Sequence, residues 1–365
     1  MNDSGIVYFS KMSQAVPHLA QVASELPGTF ISNRRSTLNV AKSLYPYLNT
    51  ERYSRFLGSL SKGNRSLAKA EIIVTGSPYR SFLAPYDAKK ATVFHGTYMM
   101  LSRDALIQNA HFDLLCVIGP RMKTMIGRFS NDVLVNAVET GFLPFCEYPE
   151  QSGTQRAAVL QSLGLDPERK TIVYTPSRRG LGSWNLVAER LVSTAPKHLN
   201  LVLRPHPSQS ITSRRKDRES FGKVQKLIAE RSGAFLDLGS RSLAEIVSVA
   251  DLVVSDANSP SEESMFYDVP QLFIETENLS RDVVVRVGVK EAMHPDDLDR
   301  LLTLYDCGPN IFINTKVDFS ENLDRAISDA SAFSARRETY FSWVFGSRDR
   351  LANKRVAEAI RSHII

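Results

Sequence analysis

Long apolar runs are missing from this 365-residue chain, and none approaches the ~18 residues a membrane-spanning helix needs. Cysteine is scarce. Cys116, Cys146 and Cys307 stand alone, with no C-x-x-C pair, so neither a disulfide framework nor a cysteine zinc site is expected. The opening MNDSGIVYFS has neither the charged start nor the apolar stretch of a secretory leader. Together these absences predict a protein of the reducing cytoplasm. No D-x-D stands in a metal-binding context, and no Walker or dinucleotide fingerprint is present. No metal and no cofactor are therefore expected. Helix-turn-helix, zinc-finger and RNP signatures are also absent, so nucleic acid is not the expected partner.

What is present is unevenly placed charge. The net charge is +6, and residues 1 to 70 carry all of it, with nine Lys/Arg against three acids. A local positive field favours anionic partners such as acidic lipid or a polyphosphate chain. Within it, Tyr53, Phe56, Leu57 and Leu60 recur at i, i+3, i+4 and i+7, beside Arg52, Arg55 and Lys62. That spacing predicts a helix over 51–62. It would lie on an anionic membrane or pack on its own domain.

Short apolar runs alternate with helix-like stretches along most of the chain. Strands are expected at 5–9, 29–31, 71–74, 92–94, 114–118 and 132–135. After a polar stretch at 148–156 they resume at 171–174, 201–203, 234–236, 251–254 and 271–274. This alternation argues for parallel α/β sheets. The break predicts two Rossmann-like domains, over 1–150 and 155–335, with 336–365 as a C-terminal helix crossing back to the first. Ligands of such sheets bind beyond the carboxyl ends of strands.

Four strand ends carry chemistry. Arg204-Pro205-His206-Pro207 closes the run LVL. Residues before proline are held extended, and i and i+2 then share a side, so Arg204 and His206 read as a rigid cationic fork. His95-Gly96-Thr97 follows an apolar run and suits a general base, or a solvated turn. Pro176 to Gly182 offers Arg178, Arg179 and two glycines, a phosphate grip or a flexible basic turn. In Ser255-Asp256-Ala257-Asn258-Ser259-Pro260-Ser261-Glu262-Glu263, Ser259 and Glu262 read as a capping box with a helix from about Pro260. The helix start would hold an anion, aided by the Ser259 and Ser261 hydroxyls. Glu263 is placed to hold a ribose.

The order of these motifs resembles the CDP-glycerol glycerophosphotransferase family, the teichoic acid primases and polymerases. The resemblance rests on Phe94-His95-Gly96-Thr97, Phe112-Asp113-Leu114-Leu115, Thr140-Gly141-Phe142-Leu143-Pro144 and Tyr174 to Arg179. It continues through Arg204 to Pro207, Ser255 to Ser259 with Glu263, and Phe345 to Asp349, spanning about residues 71 to 360. Two departures stand out. Tyr98-Met99-Met100 follows His-Gly-Thr where the family has a lysine, and Asn258-Ser259 replaces a Ser-Ser pair.

The resemblance implies an α/β, GT-B-like fold, with two Rossmann-like domains facing a central cleft. It implies an acceptor-side N-terminal domain and a C-terminal domain for a nucleotide diphosphate donor, most simply a CDP-polyol. His95 and His206 would be catalytic. Arg179, Arg204, Ser259 and Ser261 would bind the donor phosphates, with Glu263 and Asp256 on the ribose and nucleotide. The implied reaction moves a glycerol-phosphate or related polyol-phosphate unit to a hydroxyl of an anionic or lipid-linked glycan, and CMP leaves. A cytoplasmic protein, peripheral on the inner face of the membrane, fits that chemistry. A GT-B glycosyltransferase using a nucleotide sugar is the alternative.

Overall fold

The computed structural model of the chain describes residues 5–211, 214–239, 241–313 and 317–365. Two compact units divide it. The first comprises Met1–Glu147, Glu291–His294 and Ser342–Ile365, and the second Tyr148–Lys290 and Pro295–Phe341.

The first unit is built on seven parallel strands: β1 (Ile6–Phe9), β2 (Thr29–Ser32), β3 (Asn49–Arg52), β4 (Ile72–Thr75), β5 (Lys89–Thr92), β6 (Leu114–Val117) and β7 (Ala137–Glu139). Their spatial order is β3-β2-β1-β4-β5-β6-β7. The chain therefore winds one way from β1 and the other way from β4, which leaves a crevice at the carboxyl ends of these two strands. The central strands β1, β4 and β6 are buried at every position, as expected where both faces are covered. One face packs on the helix Val16–Glu25 and on the C-terminal helix Ala352–His363, which supplies Ala352, Val356, Ala357 and Ile360 to that core.

The second unit repeats the plan with β8 (Thr171–Thr175), β9 (Asn200–Leu203), β10 (Ala234–Leu236), β11 (Leu252–Ser255), β12 (Gln271–Glu275) and β13 (Asn310–Phe312). All pairs are parallel, in the order β10-β9-β8-β11-β12-β13, so the crevice falls between β8 and β11. Trp184 anchors the core beneath it. Its ring stacks on Tyr174 and meets Phe221 edge-on, and its N–H donates to Ser220 Oγ at 3.0 Å. Each such fully buried apolar side chain contributes roughly 1.5–3 kcal/mol.

Five local expectations shift. The strand expected at 92–94 lies at Lys89–Thr92, because two lysine stems run along a polar stretch of strand while Val93 and Phe94 enter the following turn. The strand expected at 132–135 is loop, and β7 follows it. β3 and β13 were hidden because Asn-Thr-Glu-Arg and Asn-Ile-Phe are too polar or too short to show an apolar run. Residues 51–62 are not a helix. They run from β3 through a single 3₁₀ turn, Gly58–Leu60, into a helix beginning at Lys62. Finally, the cap of the helix Ser259–Ser264 is Asn258, whose side chain accepts from the Ser261 amide. The cap thus stands one residue earlier than Ser259.

Candidate functional site

In the first unit the turn beyond β5 is held from three sides. His95 Nδ1 lies 2.6 Å from the Gly76 carbonyl oxygen, beyond the end of β4. A carbonyl only accepts, so Nδ1 carries the proton and donates it. Ser77 Oγ, 3.2 Å away, shares that proton. Nε2 is thereby left with its lone pair. The Gly96 amide donates to His18 Nε2 at 3.2 Å, and the buried Arg121 donates to the Thr97 carbonyl at 2.6 Å. Arg121 also sits over the Trp343 ring.

Phe94, Gly96 and Tyr98 all have positive φ, at 57°, 63° and 48°. Two of these are non-glycine residues in the left-handed region, each costing about 1–3 kcal/mol, so the surrounding contacts must hold the turn in place. Burial lowers the His95 pKa, against the raising effect of the Gly76 bond, so the imidazole is neutral near pH 7.

In the second unit the β8–β11 crevice is closed by a carboxylate. Asp256, just beyond β11, is almost wholly buried and accepts from the Ser177 amide at 2.6 Å and the Ser183 amide at 2.9 Å. The Ser183 hydroxyl donates to the other oxygen and lies 2.7 Å from the Tyr174 hydroxyl. Asn258 adds a bond to the Thr175 carbonyl at 2.7 Å. The Ser-Asp box thus stitches the loop after β8 to the end of β11. Gly182 is required there, because a Cβ would stand 2.1 Å from the Ser177 carbonyl oxygen. Burial raises the Asp256 pKa to about 6, against the lowering effect of its three donors.

His206 is fixed in the opposite sense to His95. It caps the short helix Pro207–Ser210, and its Nδ1 accepts from the Ser208 amide at 3.1 Å. The Ser208 hydroxyl lies 2.9 Å from the same nitrogen. An amide only donates, so Nδ1 is bare and Nε2 carries the proton. Burial, then Arg178 and Arg179, pull its pKa down to about 4. His206 is neutral, which corrects the expectation of two cations in the fork.

The two arginines expected to meet phosphate are engaged within the protein. Arg204 pairs with the buried Asp237 beyond β10 and donates to the Arg241 carbonyl. Arg179 pairs with Asp217 through two nitrogens and donates to the Ser208 carbonyl at 2.8 Å. Asp217 is buried and also accepts from the Arg214 amide at 2.8 Å. Arg178 is exposed and forms no ion pair among the described residues.

Ser261 is fully buried, and its hydroxyl donates to the Asn258 carbonyl at 2.6 Å. Ser259 is the first residue of its helix, which has only six residues and a correspondingly small aligned dipole. Glu262 accepts from Tyr340 at 2.6 Å, and Glu263 is buried beside it. Of the expected residues, the structure thus groups His206, Arg204 and Arg179 around one loop system at β9. It groups Asp256, Ser259, Ser261 and Glu263 beyond β11, and places His95 in the first unit.

His18, Asp217 and Asp237 were not foreseen. His18 stands in the first turn of the helix Val16–Glu25, directly after Pro17, with no pattern to mark it, whereas Asp217, an acid at the third position of its helix, carried a capping signal. Among the described residues, no group of three or more His, Cys, Asp or Glu could hold a metal ion.

Compared by sequence, the chain matches no protein-family profile and no curated protein. Compared by structure, it resembles the wall teichoic acid polymerase TagF, with TM-score 0.68 and 13% identity over 100% of this chain and 90% of that one. A variant of TagF soaked with CDPG gives 0.66 and 14%, over 99% and 89%. HepE of Anabaena, solved with UDP and glucose, gives 0.55 and 13%, over 98% and 99%. A glycosyltransferase of Rickettsia africae gives 0.53 and 12%, over 98% of each chain. The fold is that of the GT-B glycosyltransferases, two parallel α/β units in one chain.

Proposed function

We propose that the chain is a transferase that moves a glycerol-phosphate, or related polyol-phosphate, unit from a CDP-activated donor to a hydroxyl of a lipid-linked or polymeric glycan. The observation that carries this reading is the pair of oppositely fixed imidazoles. His95 offers a bare Nε2, and His206 offers an Nε2–H. In the proposed reaction the acceptor hydroxyl gives its proton to His95 Nε2 and its oxygen bonds to the donor's β-phosphorus. The bond from that phosphorus to the bridging oxygen breaks, and CMP leaves with the electron pair. His206 Nε2–H donates a hydrogen bond to the phosphate oxygens as charge moves onto them.

In this reading Arg178 is the guanidinium that meets phosphate first, from the loop that Asp256 holds. Arg179 and Arg204, backed by Asp217 and Asp237, brace that loop system and add positive potential behind it. Ser259 adds a phosphate contact. Glu263 takes the ribose hydroxyls, and Asp256 serves the nucleotide by keeping the loop closed. TagF has been solved with CDPG, which favours the CDP donor.

A sugar donor is the second reading, favoured by HepE solved with UDP and glucose. The same base would then direct the hydroxyl to an anomeric carbon, with UDP leaving. Incubation with CDP-glycerol, CDP-ribitol or UDP-N-acetylglucosamine, each with a glycerol-phosphate primer or lipid-linked sugar, separates the two. CMP release that is lost in His206→Ala supports phosphoglycerol transfer. UDP release with a glycosylated product supports the sugar reading.

Membrane contact belongs to the same proposal. Phe56 is 99% exposed and Leu60 80%, with Leu57 half exposed, on a loop flanked by Arg55 and Lys62. Apolar tips beside cations suit the surface of an anionic bilayer. No helix of the described residues is long and apolar enough to cross one. Sedimentation with anionic liposomes at low salt, weakened by Phe56→Ser, is expected. Absence of sedimentation would remove this part of the account.

A further inference from the structure

The first unit holds a second feature at its crevice. Beyond the ends of β1, β3 and β4, a cavity of about 490 Å³ is lined by Lys11, Arg55 and Arg80 together with the rings of Tyr53, Tyr79 and Phe82. That volume lies within the range of small-ligand sites. No carboxylate lines it, and none of the three cations forms an ion pair among the described residues. Lys11 Nζ instead rests over the Tyr79 ring at 5.2 Å and the Phe82 ring at 5.1 Å.

The rings form a fixed cluster. Phe9 stacks on Phe82 at 4.2 Å, and Tyr53 meets Phe82 edge-on at 5.1 Å. The Tyr79 hydroxyl accepts from the Lys11 amide at 3.1 Å, and the Tyr79 backbone is left-handed, with φ of 42°. Strain of that kind persists only where neighbours enforce it. Burial and the charges of Arg55 and Arg34 lower the pKa of Lys11, so positive charge is crowded here without a counter-ion.

We propose that this cavity binds an anionic saccharide, a pyranose carrying a phosphate, with the sugar face on the rings and the phosphate on Lys11, Arg55 and Arg80. Rings present an apolar face to the C–H side of a pyranose, and guanidinium with ammonium groups binds phosphate oxygens. A neutral glycan would leave three cations unanswered, and inorganic phosphate would make no use of the aromatic wall. Choosing a sugar over a nucleobase rests on the transferase reading, in which the second unit takes the nucleotide.

The test is binding to the full chain by calorimetry, with no donor present. The probes are glucose 1-phosphate, glucose, CMP and an N-acetylglucosamine linked through diphosphate to a short prenyl chain. Glucose 1-phosphate is expected to bind at least about tenfold more tightly than glucose. Lys11→Met and Arg55→Gln are each expected to weaken it about five- to tenfold. Arg80→Gln, on a side chain exposed to solvent, serves as the variant least able to disturb folding, and unchanged thermal midpoints check the others. Tighter binding of the prenyl-linked probe would assign the pocket to a lipid-linked glycan, and weaker binding would assign it to a free sugar phosphate.

Binding unaffected by all three substitutions, or CMP as the only probe that depends on Lys11, would overturn the proposal. The two readings fail separately. Lys11-dependent sugar-phosphate binding without any nucleotide release keeps the pocket and loses the transferase. Nucleotide release without such binding does the reverse.

Discussion

The two units use one plan and arm it differently. In each, parallel strands wind outward from a central pair, and the residues of interest follow the carboxyl ends of strands near that pair. In the first unit a carbonyl at the end of β4 fixes a histidine with its outer nitrogen bare. In the second, an amide at the start of a short helix fixes a histidine with its outer nitrogen protonated. Among the described residues, neither imidazole pairs with a carboxylate. A backbone group selects each tautomer, with a serine hydroxyl beside the same nitrogen, and burial, joined at His206 by Arg178 and Arg179, keeps both neutral. In the proposed transferase the same side chain serves as a base in one setting and a donor in the other.

Substitutions can break this contrast. The largest effect is expected at His95, where alanine removes the proposed base and lowers kcat about 10²- to 10⁴-fold, read by nucleotide release. His206→Asn is more discriminating. Asparagine can still accept from the Ser208 amide but lacks the Nε2–H, so the helix start should survive while kcat falls about 10²-fold or more. Recovery of full activity by Asn would show that His206 acts only as a cap.

Asp256→Ala is expected to leave the Ser177 and Ser183 amides and the Ser183 hydroxyl without their acceptor, at roughly 1–3 kcal/mol for each group kept from water. A lowered thermal midpoint with a raised donor KM would follow. The wild-type protein should show a related effect of pH. Asp256 has a pKa of about 6, so donor affinity should weaken as pH falls through 6 and the loop loses its anion, while His206 is still neutral.

The smallest effect sharpens the role of His18. Burial, then His95, lowers its pKa to about 3, while an unfolded histidine titrates near 6.5. On lowering the pH below 6.5 the unfolded chain binds a proton that the folded chain refuses. Stability from this group is therefore present above 6.5 and lost progressively towards 3. His18→Gln keeps an acceptor for the Gly96 amide, so activity near neutral pH should change little. The acid slope of stability between 6.5 and 4 should flatten by one proton, as measured by urea unfolding at several pH values.

Much of this was legible in the residues. Apolar runs such as LLCV and LVVS located the central strands, because strands buried on both faces carry uninterrupted apolar sequence. The polar edges of the sheets could not be read that way, which is why Asn49–Arg52 and Asn310–Phe312 went unseen. The strand-end loops were visible as clusters of His, Arg, Gly and Ser. What the clusters could not reveal was how their members pair. Arg204 and Asp237 are 33 residues apart and meet only because β9 and β10 are neighbours. Asp256 reads in sequence as a ligand-binding acid, and its bond to the Ser177 amide, on a loop 79 residues earlier, could not be read there. The segment at 51–62 carried a helical spacing that its chain does not adopt, since β3 takes its first residues and Gly58 has a left-handed φ of 47°.

The account turns on two nitrogens, and two-bond ¹H–¹⁵N correlation spectra of the histidine rings near pH 7.5 observe them directly. The prediction is a protonated Nδ1 with a bare Nε2 for His95, and a bare Nδ1 with a protonated Nε2 for His206. Assignment would use His95→Gln and His206→Asn. The same nitrogen protonated in both rings, or a charged imidazolium in either, would contradict the central claim.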